Sequence, residues 1–302
     1  MNKAQGAERK AGFGDKLAQF IQRNRMLIFT LSIIAIVSLV VFLVWSVVSE
    51  QTAKAATEKA ELLQEKYQKW QDEYDSARNK KYKEDLLQYI EKIIKESPGG
   101  IAAQRAFITR FYITRQDTLV TTQKKEETAP AADKSRAWLS MLDDLVHAVT
   151  ANPRSYLAEM SLYNVGVVIE EAAYYQKKGT YKLDGVTMDA VKKLLPSSFT
   201  ANAEYEAKSL YDLALTVYRY FAEKYPDSVD YPHVLISQAR LLEDKAALEQ
   251  QNGNRELAAR MIKEVKDLYF ELETDFKNND WTKIAKNRNI MLKIREGVQE
   301  GE

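Results

Sequence analysis

The chain has 302 residues, of which 45% are hydrophobic, and its 44 Lys and Arg nearly balance its 43 Asp and Glu. This content argues against disorder throughout, and the balanced charge argues against a general nucleic-acid binder. With no cysteine, the chain has no disulfide framework, thiolate metal site or cysteine nucleophile. Its 11 glycines and 6 prolines are few for a strand-rich fold with many tight turns, so the composition favours helices.

The first predicted element is a membrane-spanning helix at residues 26–48. No charged residue occurs between Arg25 and Glu50, and a helix of this length crosses a hydrocarbon core of roughly 30 Å. The stretch exceeds the apolar region of a secretory signal, which is typically about 7–15 residues. We therefore predict an uncleaved transmembrane signal anchor, although Ala53-Lys54-Ala55 resembles a cleavage site and cleavage after Ala55 stays open.

The charges on either side of the span predict its orientation. Residues 1–25 carry six Lys and Arg against two acidic residues, whereas residues 50–69 carry four Lys and four Glu. The positive-inside bias therefore predicts a cytoplasmic N-terminal segment at 1–25 and an extracytoplasmic, periplasmic domain at 49–302. The predicted location is the cytoplasmic (inner) membrane, with a single pass.

The exported domain is predicted to be a chain of helices. No proline or glycine occurs from Glu50 to Glu96, and apolar residues recur at spacings of three and four from Ala56 to Ala77, which predicts one amphipathic helix face. We expect this face to pack within the chain, because fewer than four heptads are sustained; self-association through it stays an alternative. Further helices are predicted at about 101–116, 134–150, 154–178, 203–225, 231–251, 255–277 and 280–296, with a flexible loop at 117–133 and an insertion at 179–202.

Several helix ends resemble one another, which indicates internal repetition. Three of the ends contain Pro98, Pro153 and Pro226, and a fourth similar end has Lys277 where proline is expected. The residues eight and thirteen positions after each proline are candidates for close helix packing. They are Ala106, Ser161 and Val234 at the first position, and Phe111, Gly166 and Ala239 at the second.

Two motifs make the repetition specific. Leu162-x2-Val165-Gly166-x2-Ile169 has the spacing of a tetratricopeptide helix, and Tyr218-x2-Phe221-x3-Tyr225-Pro226-Asp227-Ser228 resembles the helix end of such repeats in bacterial envelope proteins. With the preceding anchor, the chain resembles the YfgM-like family, the ancillary subunits of the SecYEG translocon. The resemblance implies an all-α fold in which a single N-terminal transmembrane helix precedes a tetratricopeptide-like α-solenoid of helical hairpins. The repeats are irregular, and Tyr163 beside Asn164 gives no carboxylate clamp, so no binding residue is transferred.

The sequence predicts no catalytic, cofactor-binding or metal-ligating residue. His147 and His233 lie on different predicted helices, outside any metal-binding spacing, and are expected to be solvated or packed between helices. The pairs Asp143-Asp144 and Glu170-Glu171 are expected to be solvated faces, since adjacent helical residues point apart. The 17 tyrosines are expected to pack between helices with their hydroxyls at the rim.

The remaining function is that of a binding module. A stack of helix pairs leaves an extended surface for another protein's helix or an unfolded segment. We therefore expect a non-enzymatic, membrane-anchored scaffold or chaperone adaptor, with no cofactor and no nucleic acid, whose protein partners are the translocon or exported clients. Two alternatives stay open: a structural envelope protein that self-associates through its 50–80 helix, and a helical enzyme with a site near 179–202.

Overall fold

The computed structural model of the chain describes residue 20 and residues 22–123, 131–178, 183–200 and 207–299. Across these ranges the chain has ten α-helices, one short 3-10 helix and no strand. It divides into two compact units, residues 1–56 and 57–302. The all-α prediction is confirmed.

The α-helices are numbered here in chain order. They are α1 (Arg25–Gln71), α2 (Ser76–Glu96), α3 (Gly100–Gln123), α4 (Ala131–Ala151), α5 (Tyr156–Lys178), α6 (Met188–Leu194), α7 (Leu210–Lys224), α8 (Tyr231–Gln251), α9 (Arg255–Asp275) and α10 (Asp280–Gln299). The 3-10 helix spans Ser197–Phe199.

The first unit contains the apolar part of α1. Among the described residues, α1 is the one helix long and apolar enough to cross a membrane. Every residue from Ile36 to Val48 is exposed in the isolated chain, as expected of a helix whose surroundings are lipid. The Thr30 hydroxyl donates to the Met26 carbonyl at 2.9 Å, the bond that makes such hydroxyls tolerable in hydrocarbon.

The second unit begins with a helical hairpin whose turn contains neither glycine nor proline. Helix α1 ends at Gln71, so the amphipathic face predicted to continue to Ala77 stops there, and Tyr74 is 97% exposed. The turn is stabilised by side chains instead. Asn79 Nδ2 donates to the carbonyl of Trp70, and Asp75 caps α2 by accepting from the Arg78 amide.

The remaining apolar face of α1 packs within the chain, as predicted. Ala60, Leu63 and Trp70 are each less than 5% exposed. Contacts with α2 hold this part of the helix, because Lys59 pairs with Glu96 at 2.9 Å and Asn79 accepts a hydrogen bond from the Trp70 indole at 3.0 Å.

The two predicted interruptions differ from expectation in different ways. The loop predicted at 117–133 is wrong for residues 117–123, where α3 continues, and for 131–133, where α4 begins; residues 124–130 lie outside the described residues. The insertion predicted at 179–202 contains α6 and the 3-10 helix in its described part, residues 183–200. Its apolar run is packed, since Val191 and Leu195 are buried.

From α3 onward, each long helix packs on the next, and α3 also contacts α5, as α8 contacts α10. The repeated positions predicted to be close-packed are buried. Eight residues after the prolines, Ala106, Ser161 and Val234 are each 0% exposed. Eight residues after Lys277 lies Ala285, which is also 0% exposed, but Ile290, thirteen residues after Lys277, is 55% exposed, so the fourth helix end keeps only the first of the two positions.

At α10 the pattern changes at two positions that are buried in α5 and α8. Nine and sixteen residues after the break, α5 and α8 bury apolar side chains, Leu162 with Ile169 and Leu235 with Leu242. At the same two positions α10 has Lys286 and Lys293, both exposed. This side of α10 is therefore polar and open in the described part of the chain.

At Gly166, helix α5 comes so close to α7 that a larger residue would not fit. A Cβ added to Gly166 would lie 2.4 Å from Cε1 of Tyr218 on α7, well inside the van der Waals distance. The ring has no room to withdraw, because Tyr218 is 1% exposed and its hydroxyl is hydrogen-bonded to Glu170. The small residue in the predicted motif is therefore required by the α5–α7 contact.

We expect Gly166→Ala to destabilise the full-length chain by about 1–2 kcal/mol, because overpacking outweighs the gain in helix propensity. Chemical unfolding in detergent, followed by circular dichroism, would measure this loss. Gly99→Ala is the matched control, since the nearest atom to its added Cβ is 3.9 Å away, and its effect should stay within about 0.5 kcal/mol. Equal stability of the two variants would contradict the prediction.

Candidate functional site

Side chains on one face of α3, α5, α8 and α10 connect each of these helices to the next. We call this surface the ladder face. It comprises the residues seven, ten, fourteen and seventeen positions after Pro98, Pro153, Pro226 and Lys277, together with the side chains that they contact. Arg115 of α3 pairs with Glu171 of α5 at 2.6 Å. Glu170 pairs with Arg240 of α8, and Glu243 with Arg288 of α10 at 3.2 Å.

A cavity of about 320 Å³ opens on the ladder face between α5, α8 and α10. Aromatic side chains form part of its wall. Tyr163 Oη lies 3.0 Å from His233 Nε2, and the His233 ring stacks on Trp281 with centroids 3.9 Å apart and planes 12° from parallel. His233 is thus packed between helices, one of the two environments predicted for it.

Burial sets the protonation of these aromatic groups. It raises the pKa of the Tyr163 hydroxyl, and nearby Glu170 raises it further. It lowers the pKa of the His233 imidazole. The tyrosine therefore keeps its proton and the histidine is neutral near pH 7, and one hydrogen bond joins the hydroxyl to Nε2.

Glu170 lines this cavity and its side chain is 16% exposed, so the sequence expectation of a solvated face is wrong for Glu170, whereas the Glu171 side chain is 34% exposed. The Glu170 carboxylate accepts from Tyr218 Oη at 3.2 Å and pairs with Arg240 at 2.5 Å. Burial raises the pKa of Glu171, opposed by the charge of Arg115. The helical spacing correctly predicts that Glu170 and Glu171 point apart, but each meets a cation from a different neighbouring helix.

The expectation of a solvated face is also wrong for Asp144. Its side chain is 1% exposed and accepts from Arg110 Nε at 2.9 Å and Nη2 at 2.6 Å, while Arg110 also pairs with Glu91. The second carboxylate oxygen of Asp144 is buried without a hydrogen bond. Burial therefore outweighs the cation and raises the pKa of Asp144 to about 6. This cluster joins α2, α3 and α4.

Other residues considered in the sequence have packing roles. His147 stacks on Phe107 with centroids 5.1 Å apart. Tyr218 and Tyr269 are fully buried, and each hydroxyl reaches a carboxylate of a neighbouring helix, so helix packing of these tyrosines is confirmed. In the 183–200 segment, the polar contacts are with backbone: Gln176 donates to the Leu183 and Val186 carbonyls. These bonds fix the segment against α5.

The ladder face combines ion pairs with aromatic groups around an open cavity. Ion pairs join Arg115 to Glu171 and Glu170 to Arg240, aromatic groups line an open cavity, and Tyr112 of α3 is 40% exposed on it. Within the described ranges, no group of three or more His, Asp or Glu side chains is placed to hold a metal ion. A scan against protein-family models and searches of curated proteins and of solved structures found no match to the chain.

Sequence reasoning missed the ladder face as a site. Tyr163 and His233 are 70 residues apart in sequence, and neither belongs to a motif that indicates contact. The spacing of these residues from the prolines could have predicted that they share a surface. Tyr163 lies ten residues after Pro153, and His233 lies seven residues after Pro226. Both therefore avoid the buried positions of the repeat, which lie eight and thirteen residues after each proline, and belong to another face of the helix.

Proposed function

We propose that the chain is a membrane-anchored protein-interaction module whose ladder face binds other proteins. On this proposal the helix pairs from α3 onward form a tetratricopeptide-like array, and the module is a scaffold or chaperone adaptor of the YfgM-like kind. The Sec translocon and its exported clients are the candidate partners. The observation that carries the proposal is the in-register ladder face, which presents aromatic and paired charged groups around an open cavity.

The energetics of this surface favour protein binding. Aromatic and arginine side chains dominate the energetically important positions of protein interfaces, and Tyr163, Trp281 and Arg240 meet at one cavity. Their ion pairs and stacking hold the side chains in place, which lowers the entropy that a partner would have to remove. The alternative of self-association through the 50–80 helix has less support, because Leu63 and Trp70 are buried in the chain.

Site-specific photo-crosslinking in intact membranes tests the proposal. We expect a photoreactive residue at Tyr112 or Val167 of the full-length chain to form adducts that mass spectrometry identifies as membrane or exported proteins. Phe270 of α9 is the control position, since it is 68% exposed and lies outside the ladder face. Adducts that form equally at Phe270, or none at Tyr112 and Val167, would contradict it.

The proposed orientation has a separate test. We propose that residues 49–302 lie on the outer side of the cytoplasmic membrane, because the cations concentrate in residues 1–25. Protease added outside intact spheroplasts should then degrade the helical domain and leave the anchor. A cytoplasmic marker protein must stay intact in the same sample. Full protection of the domain would reverse the orientation.

A further inference from the structure

The cavity on the ladder face has the size of a pocket for one side chain. We call it the ladder cavity; it lies between α5, α8 and α10, and its lining includes Tyr163, Ser237, Arg240 and Trp281. Ligand-binding cavities in proteins are usually about 300–1,000 Å³. The ladder cavity, at about 320 Å³, is at the small end of that range. It therefore suits a single group of a larger partner.

The charged groups that line the ladder cavity are already paired. The pairs are Glu170 with Arg240 at 2.5 Å, Glu171 with Arg115 at 2.6 Å, and Arg288 with Glu243 at 3.2 Å. A charged group that entered the cavity would lose its hydration, and the counter-charges it met would be engaged with one another. The cavity therefore favours an uncharged ligand.

The planar groups of the ladder cavity favour an aromatic ring over an aliphatic group. The His233 ring lies between those of Tyr163 and Trp281, with centroids 4.7 and 3.9 Å away. The side chains of Arg240 and Arg288 also line the cavity and are 35 and 37% exposed. Aromatic pairs are stabilised beyond the area that they bury, and guanidinium planes stack on aromatic faces.

One buried hydroxyl of the ladder cavity has no partner within the protein. Ser237 of α8 lines the cavity and is 5% exposed. Its hydroxyl makes no hydrogen bond with any residue in the described part of the chain, and its oxygen is not sealed from solvent. Buried polar groups are normally hydrogen-bonded. A ligand that carries a hydroxyl beside its ring would meet this requirement.

We propose that the ladder cavity binds the uncharged side chain of a tyrosine, supplied by a segment of a partner protein. This inference rests on the proposed function and names the residue that the partner presents. The ring of that tyrosine packs against Tyr163 and Trp281, and its hydroxyl forms a hydrogen bond with Ser237. Tyrosine is the residue that joins an uncharged ring to a hydroxyl.

Fluorine NMR of the full-length chain in detergent, labelled with 5-fluorotryptophan, tests the proposal. The chain has four tryptophans, and Trp281→Phe assigns the resonance of Trp281. The probe is a glycine and serine peptide with one central tyrosine. We expect it to shift the Trp281 resonance saturably and leave that of Trp138, a buried residue of α4, unchanged. It should bind about fivefold more tightly than the same peptide with phenylalanine or phosphotyrosine.

Substitution of one serine assigns the preference to its hydroxyl. Ser237→Ala should make the tyrosine and phenylalanine peptides bind equally, with the affinity of the phenylalanine peptide unchanged. Ser161→Ala is the matched control and should keep the fivefold preference, since Ser161 is also buried but donates to the Leu157 carbonyl at 2.6 Å. A preference that survives Ser237→Ala would overturn the proposal. Equal or tighter binding of the phenylalanine or phosphotyrosine peptide to the wild-type chain would also overturn it.

Crosslinking in intact membranes identifies the source of the ligand, because Val167 lines the ladder cavity. A photoreactive residue at Val167 should join a partner segment in which mass spectrometry finds a tyrosine at or beside the crosslinked residue. An adduct with a small phenol would overturn the inference. Protein adducts without a tyrosine there would also overturn it, while the proposed function would stand. If neither Val167 nor Tyr112 forms protein adducts, the proposed function is wrong as well.

Discussion

Tyr218→Ala should destabilise the helical domain by about 3–5 kcal/mol, which is the range for removing a large aromatic side chain from a core. Tyr218 is 1% exposed, and its ring fills the space that Gly166 leaves open on α5. The substitution also removes the hydrogen bond that the Tyr218 hydroxyl donates to Glu170. Chemical unfolding of the full-length chain in detergent, followed by circular dichroism, would measure the change.

Two further variants define the origin of that loss. Tyr74→Ala is the control, since Tyr74 is 97% exposed, and should change stability by no more than about 0.5 kcal/mol. In the Tyr218→Ala background, adding Gly166→Ala should cost nothing more, because the methyl group enters the new cavity. Additive losses in the double variant would show that the two residues do not share that space.

The second large effect is a pH dependence that Asp144 imposes on folding. Its pKa is raised from 3.8 to about 6 in the folded chain, so between these values the folded state holds a proton that the unfolded state has released. The free energy of unfolding therefore decreases as pH rises through this window. The shift corresponds to about 3 kcal/mol at most, at about 1.4 kcal/mol per unit.

The variant Asp144→Asn removes this titration and keeps a side chain of nearly the same shape. The difference in unfolding free energy between the variant and the wild-type chain should move in favour of the variant by about 2–3 kcal/mol between pH 4 and pH 7. The same measurements on Asp143→Asn separate the buried carboxyl from the general effect of removing one acidic charge on this turn. Parallel pH profiles for wild type and Asp144→Asn would contradict the assignment.

Local patterns in the sequence account for most of the helices. The apolar spacing and the proline breaks predict α5, α8 and α9 to within a few residues, and the motif around Gly166 predicts a small residue where α5 and α7 meet. These features follow from neighbours in the chain. The turn after Gln71 does not, because no glycine or proline marks it and the side chains of Asp75 and Asn79 stabilise it instead.

Contacts between distant residues could not be predicted. Asp144 has the sequence features of a solvated acid, and only the position of Arg110 on α3 makes its burial possible. The ladder face likewise depends on how far successive helices are offset, which brings Glu170 to Arg240 and Tyr163 to His233. A repeat register indicates which side chains face inward, but a single sequence gives no measure of that offset.

The lysines on the outer side of α10 also bear on whether copies of the chain could stack end to end. A stack of similar helix pairs could in principle add further copies end to end, and a head-to-tail contact that does not close produces a filament. Another hairpin placed on α10 would have to bury Lys286 and Lys293 where α5 and α8 bury leucine and isoleucine. Burying unpaired ammonium groups costs several kcal/mol each, so these two residues oppose the stacking of a second copy on this side of α10.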